Sequence, residues 1–169
     1  MRAAKIDRMM PRTPIEPEGI FDGLSGAAIL LGAFIDIAFT EIACTLLILW
    51  LAPDIASQDE AQARKVLAAL AASTSYIAAN LSLGALGTIV GAFVGARRAG
   101  QLHVRHGGWI AVASTALGAL LMALEPPAPD GTDFPMWAQI VSWILILPAG
   151  MSGGALAAAF RAAPHHREP

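Results

Sequence analysis

Four long apolar runs constrain this chain more than any other feature. They cover Gly26–Leu51, Ile77–Ala96, Gly108–Leu124 and Met136–Phe160. Crossing about 30 Å of hydrocarbon takes about 20 largely apolar residues in a helix. Gly108–Leu124, the shortest run, falls just below that length and the others meet it. A lipid interior offers the backbone no water, so a single segment crosses it as a helix with its hydrogen bonds satisfied internally. A water-soluble bundle would keep charged stripes along its helices, and these runs keep none. Charged residues make up 14% of the 169, against about 25% for an ordinary soluble domain. The sequence therefore predicts an all-α polytopic membrane protein, a four-transmembrane-helix up-down bundle whose surroundings are the lipid bilayer. The net charge of −2 gives no basis for nucleic-acid binding.

Residues 1–20 carry Arg2, Lys5, Arg8 and Arg12, interrupted by Pro11, Pro14 and Pro17, with no apolar core. The first apolar run is too long for the core of a signal peptide, and no cleavage pattern follows it. Residues 1–23 read as a flexible cytoplasmic arm, 24–162 as the membrane domain and 163–169 as a tail. Lys and Arg alternate strongly between the connecting segments. Nine lie in the arm, the Arg97–Gly107 turn and the stretch from Arg161 onward, and two, Arg64 and Lys65, lie elsewhere. Basic residues stay on the cytoplasmic side, so both termini are expected there. Trp50, Tyr76 and Trp137 fall at the outer boundary and Trp109 at the inner one, the headgroup level such rings prefer.

Between the first two runs, Ser57 and Glu60 have capping-box spacing. Ala63, Val66, Leu67 and Leu70 then recur at helical intervals. These features predict an amphipathic outer helix from about Gln58 to Ala72, with a bend at Ser73-Thr74-Ser75. The segment Glu125–Pro135 holds four prolines and reads as irregular. Pro148, inside the fourth run, removes a backbone hydrogen bond and predicts a kink.

Gly84, Gly87, Gly91 and Gly95 share one face of the second span, and Gly150, Gly153 and Gly154 form a matching face on the fourth. Small residues at this spacing let helix backbones approach closely in lipid. The faces suit packing within the chain or a seam between copies. The stretches Gly91–Arg98 and Gly154–Arg161 also resemble each other, which suggests two related helical hairpins.

Asp36 and Glu41 lie in the first span, both within about 4 Å of its middle at the helical rise. An ionised acid there costs about 2.5–3.5 kcal/mol on insertion scales. Both acids must be protonated, paired or turned inward. About 140° separates them around the helix, so they cannot share a narrow face. Asp36 aligns with Thr40. No Lys or Arg lies in a span, which leaves Asn80, Ser82, Thr88, Ser114, Thr115, Gln139 and Ser142 as candidate partners. Asp36, Glu41, Thr40 and Asn80 are the expected polar site. It suits a proton or cation, or a protonated acid that fixes the fold.

Cys44, the only cysteine, excludes an internal disulfide and reads as a packing residue. His103, His106, His165 and His166 read as surface histidines. No metal site, cofactor motif or nucleophile–base pattern is evident, so neither an enzyme nor a cofactor is expected.

These residues together resemble a broad group of small four-helix bacterial membrane proteins. The shared features are Ile35-Asp36-Ile37, the second helix ending in Gly91-Ala-Phe-Val-Gly-Ala-Arg97, the turn at His106-Gly107, and Pro135-Met-Trp137, Pro148-Ala149 and Gly153-Gly154 in the fourth helix. Ala92 and Phe93 stand where that group has Gly and Tyr, and Glu41 lies outside its pattern. The resemblance covers residues 24–160 and implies a bacterial inner-membrane location, but no activity. The functional expectation is a structural or accessory bundle that binds itself or a membrane-protein partner through its glycine faces. The alternative is a small proton- or cation-linked transporter using Asp36 and Glu41.

Overall fold

The computed structural model describes residues 19–124 and 135–162. Among them the chain forms five helices and no strand: α1 (Gly26–Leu51), α2 (Glu60–Ala71), α3 (Thr74–Ala99), α4 (His103–Leu124) and α5 (Met136–Ala162), with a 3₁₀ turn at Pro53–Ser57. All but α2 are long and apolar enough to span a membrane, so this is a multi-pass membrane protein. Most of the expected N-terminal arm, nearly all of the Pro-rich segment, and the tail with His165 and His166 lie outside the described residues.

The helix ends follow from local chemistry. Ser25 caps α1 by accepting a hydrogen bond from the Ala28 N–H. The expected Ser57 cap of α2 is replaced by Asp59, which accepts from Gln62 N at 2.8 Å. Pro53 opens a 3₁₀ turn whose last residue is Ser57, and the Ser57 hydroxyl donates to Asp54 O instead. The polar run expected as a bend holds the start of α3, which begins at Thr74 after Ser73 as N-cap residue. Gly100, in the left-handed region at φ 76°, ends α3. Arg97 and Arg98 occupy its last turn, where cations suit the helix dipole. The first turn of α4 is His103–His106, so this helix starts before the apolar run does.

One expectation is overturned there. His106 is not a surface histidine: it is fully buried, beside Gly107 and Ile110. Its ring lies at the junction between the starts of α1 and α4, where Ser25 N–H reaches it.

Helices α3 and α4 form the centre. Helix α1 packs on both from one side and α5 on both from the other, and α1 and α5 do not touch among the described residues. The bundle is tight at the end holding the α3–α4 turn, here the near half. There Gly91 of α3 lies so close to α1 that an added Cβ would collide with the Gly32 carbonyl and stand 2.9 Å from Asp36 N. On the other side, a Cβ on Gly150 would meet the Gly107 carbonyl of α4, and one on Gly154 would meet His103 O. Gly153 makes the same close approach to Ile89 and Ala92 of α3. Helices this close are held by dispersion contacts over their whole facing surfaces.

The far half, which carries α2, is different. No residue of α1 beyond Asp36 and none of α4 beyond Ser114 is buried. Among the described residues, burial there is confined to Tyr76, Ile77 and Ala138, on α3 and α5. Large apolar side chains such as Trp50, 77% exposed, and Ile144 face outward, as a lipid-facing surface requires. Helix α2 buries no residue and touches only α3 and the 3₁₀ turn.

Candidate functional site

The centre of interest is the boundary between the tight half and the open one, where Asp36 sits. Ala28, Gly32, Asp36 and Thr40 recur every fourth residue, which puts them on one stripe of α1. The small members of the stripe draw α1 onto α3, and Asp36 is carried inward with them until it is 4% exposed. Glu41, about 140° round the helix and about 7.5 Å further along it, is exposed.

Asp36 meets a set of hydroxyls. Thr88 Oγ1 lies 3.2 and 3.1 Å from its two carboxyl oxygens, and Thr40 Oγ1 donates to Oδ1 at 3.5 Å. Gly87 makes this approach possible, because a Cβ there would stand 3.0 Å from Asp36 Oδ1 and strike the Thr40 hydroxyl. Thr88 also lies 3.1 Å from Gly84 O. A hydroxyl has one proton to give. When Asp36 is ionised, Thr88 donates to the carboxylate. When Asp36 is protonated, the acid donates to Thr88, and Thr88 donates to Gly84 O. The same three groups thus satisfy both forms of the acid by rotating one O–H bond.

Ser114 of α4 faces this carboxyl as well. It is 5% exposed and close enough to give its proton to the carboxyl, while no donor reaches its oxygen. A hydroxyl oxygen accepts as well as donates, so this one has room for a donor from an occupant.

Above Asp36 the helices part around a half-open cavity of about 680 Å³. Asp36, Thr88 and Ser114 lie at its buried end, with Thr40 beside them, and Glu41, Asn80 and Ser142 line it further out. Its walls are apolar, chiefly Leu81, Ala85, Leu121, Met122, Leu145 and Ile146. Gly84 and Gly118 line it too, and a Cβ on either would meet nothing within 4 Å. Among the described residues, no Lys, Arg, His or aromatic side chain contributes to the lining.

The residues singled out in the sequence therefore divide. Asp36 and Thr40 are brought together, and Glu41 shares their cavity at a distance. Asn80 also lines the cavity, but its amide donates to Cys44 Sγ at 3.3 Å and not to an acid. Cys44 thus accepts a hydrogen bond as well as packing. Ser82 and Thr115 return their hydroxyls to their own helices, at Ala78 O and Ala111 O. Gly87, Gly91 and Gly95 lie against α1, and Gly150, Gly153 and Gly154 against α4 and α3. Gly84 belongs to the cavity. Pro148 lies inside α5, where Ser152 Oγ donates to its carbonyl at 2.7 Å.

Gly118 was not singled out, and Thr88 and Ser114 were only two of several candidates. A signal for them exists in the sequence. Asp36/Thr40, Gly84/Thr88 and Ser114/Gly118 are each polar or small pairs four residues apart, one pair per helix. Compared with known proteins, the chain matches no family model, and no curated protein or solved structure shows significant similarity to it. The site is therefore read from its own chemistry.

Proposed function

We propose that this protein is a small proton- or cation-linked carrier of a bacterial inner membrane, with both termini in the cytoplasm and the cavity facing outward. Asp36 is the ion-binding group, and Glu41 is the acid that draws cations to the cavity. One observation carries this reading: a buried carboxyl at the inner end of a cavity with a second carboxyl further out and, among the described residues, no basic group on its walls. A carboxylate in such surroundings is compensated by a proton or by a cation from outside. The exchange of partners at Thr88 supports it, because the site holds either form of Asp36 without rearranging the backbone. Orientation rests on the nine-to-two distribution of Lys and Arg.

The alternative, an accessory bundle that associates through glycine faces, has less support. Most of those glycines already lie against helices of the same chain.

The test is cation-dependent proton movement in sealed proteoliposomes, followed with an internal pH-sensitive dye. Asp36→Asn is expected to abolish the signal while helix content and thermal unfolding stay close to those of the parent. Glu41→Gln is expected to weaken it. Proton movement unchanged by Asp36→Asn in a folded protein would exclude the carrier assignment.

A further inference from the structure

The cavity's shape and chemistry say more about its occupant than that it is a cation. We infer that the occupant is an amphipathic primary or secondary amine in its protonated form. Its ammonium lies on Asp36 and Ser114, and its hydrocarbon part lies against Leu121, Met122 and Leu145. This rests on the reading of Asp36 as a cation site and narrows it.

A bare metal ion fits poorly. Hard cations such as calcium take about 6–8 oxygen ligands at about 2.3–2.6 Å. Among the described residues no group of three His, Cys, Asp or Glu side chains converges. Glu41 lies too far along α1, and turned too far from Asp36, to share a small ion with it.

The volume points to an organic molecule instead. A space of about 680 Å³ falls within the range of about 300–1,000 Å³ typical of small-molecule sites. Acid and hydroxyls lie at the buried end, and further out Leu, Ile and Met side chains form most of the wall beside Glu41, Asn80 and Ser142. The buried end suits a charged head, and the Leu, Ile and Met side chains suit an apolar tail. Gly84 and Gly118 keep the cavity wide where side chains would otherwise close it.

The choice among organic cations comes from Ser114 and from the absence of rings among the described lining residues. The Ser114 hydroxyl is buried beside the Asp36 carboxyl, and no donor reaches its oxygen. An ammonium with N–H bonds can donate to the carboxylate and to Ser114 Oγ at once, through charge-assisted hydrogen bonds. A quaternary ammonium has no N–H to give. Such ions are recognised by the faces of aromatic side chains, and among the described residues no Phe, Tyr or Trp lines this cavity.

The inference is tested by titration calorimetry on the full-length protein in phosphatidylcholine nanodiscs at neutral pH. The probes are hexylammonium, methylammonium, hexyltrimethylammonium and sodium. Hexylammonium is expected to bind at least about tenfold more tightly than each of the others, a difference of about 1.4 kcal/mol. Ser114→Ala is expected to reduce that preference over the quaternary probe. Gly118→Leu, which fills the cavity, is expected to abolish hexylammonium binding without lowering the unfolding temperature. Equal affinity for hexylammonium and hexyltrimethylammonium, or for hexylammonium and methylammonium, would overturn the amine assignment. So would no binding by any organic probe. Sodium binding lost in Asp36→Asn, with no organic binding, would leave the cation site intact and remove only the amine. Hexylammonium binding that survives Asp36→Asn would overturn the cation site itself.

Discussion

The backbone N–H of Ser25 donates to Nε2 of His106 at 3.0 Å, joining the start of α1 to the start of α4 across 81 positions of sequence. His106 Nδ1 lies 3.1 Å from Leu102 O. The arrangement suits a neutral ring that donates from Nδ1 and accepts at Nε2. Replacing His106 with Ala removes the acceptor and leaves a void in the near half. The expected loss is about 1–3 kcal/mol, the usual cost of an unpaired buried polar group. Thermal unfolding in mild detergent measures it, and an unchanged midpoint would show that the link adds no stability.

The glycines are expected to separate into two classes. Gly91→Ala and Gly107→Ala place a methyl group against the backbone of a neighbouring helix, and overpacking of this kind costs about 1–3 kcal/mol. Gly84→Ala and Gly118→Ala face open space and remove a flexible residue from a helix, a change worth up to about 1 kcal/mol in favour of folding. Unfolding of the four variants under matched detergent conditions checks the division. Equal effects at Gly91 and Gly84 would contradict it.

Thr88 and Asp36 are expected to be energetically coupled. Thr88→Val keeps the side-chain shape but removes the hydroxyl that both carboxyl oxygens share. In the parent it is expected to cost about 1–3 kcal/mol. In an Asp36→Ala background the same change is expected to cost much less, because no buried carboxyl is left wanting a partner. A coupling energy above about 0.5 kcal/mol in this double-mutant cycle would establish the link, and strict additivity would deny it.

The orientation is open to a chemical test. The Glu60 side chain, on the first turn of α2, is 81% exposed. With Cys44→Ala removing the native thiol, Glu60→Cys is expected to react with a membrane-impermeant maleimide added outside intact cells. Labelling only after lysis would reverse the proposed topology.

Most of this architecture was legible because oil selects so strongly. Helix α1 runs over Gly26–Leu51 as its apolar content predicts. Hydropathy failed at the starts of α3 and α4, because Thr74–Tyr76 and, apart from Val104, His103–Gly107 are polar or small yet helical. Backbone hydrogen bonds, not side-chain polarity, decide where a helix stops. The α2 cap was misread because the sequence holds two staggered patterns, Ser57/Glu60 and Asp59/Gln62. Only the turn started by Pro53 chooses between them. For the site, periodicity placed Asp36 and Glu41 on different faces but did not say which face turns inward. The stripe of Ala28 and Gly32 behind Asp36 decides that, by making its side of α1 the one that α3 can approach. The burial of His106 had no comparable signal, since the space it fills is created by helices far apart in sequence.

The glycine contacts of the near half limit how a solute leaves the cavity. Past Asp36 toward the α3–α4 turn, carbonyls of one helix rest on the α-carbons of the next. On the carrier reading, transit to that side requires the helices to come apart and re-form for every solute moved. Planar-bilayer recordings of the protein should therefore contain no unitary current steps, and turnover should rise steeply with temperature.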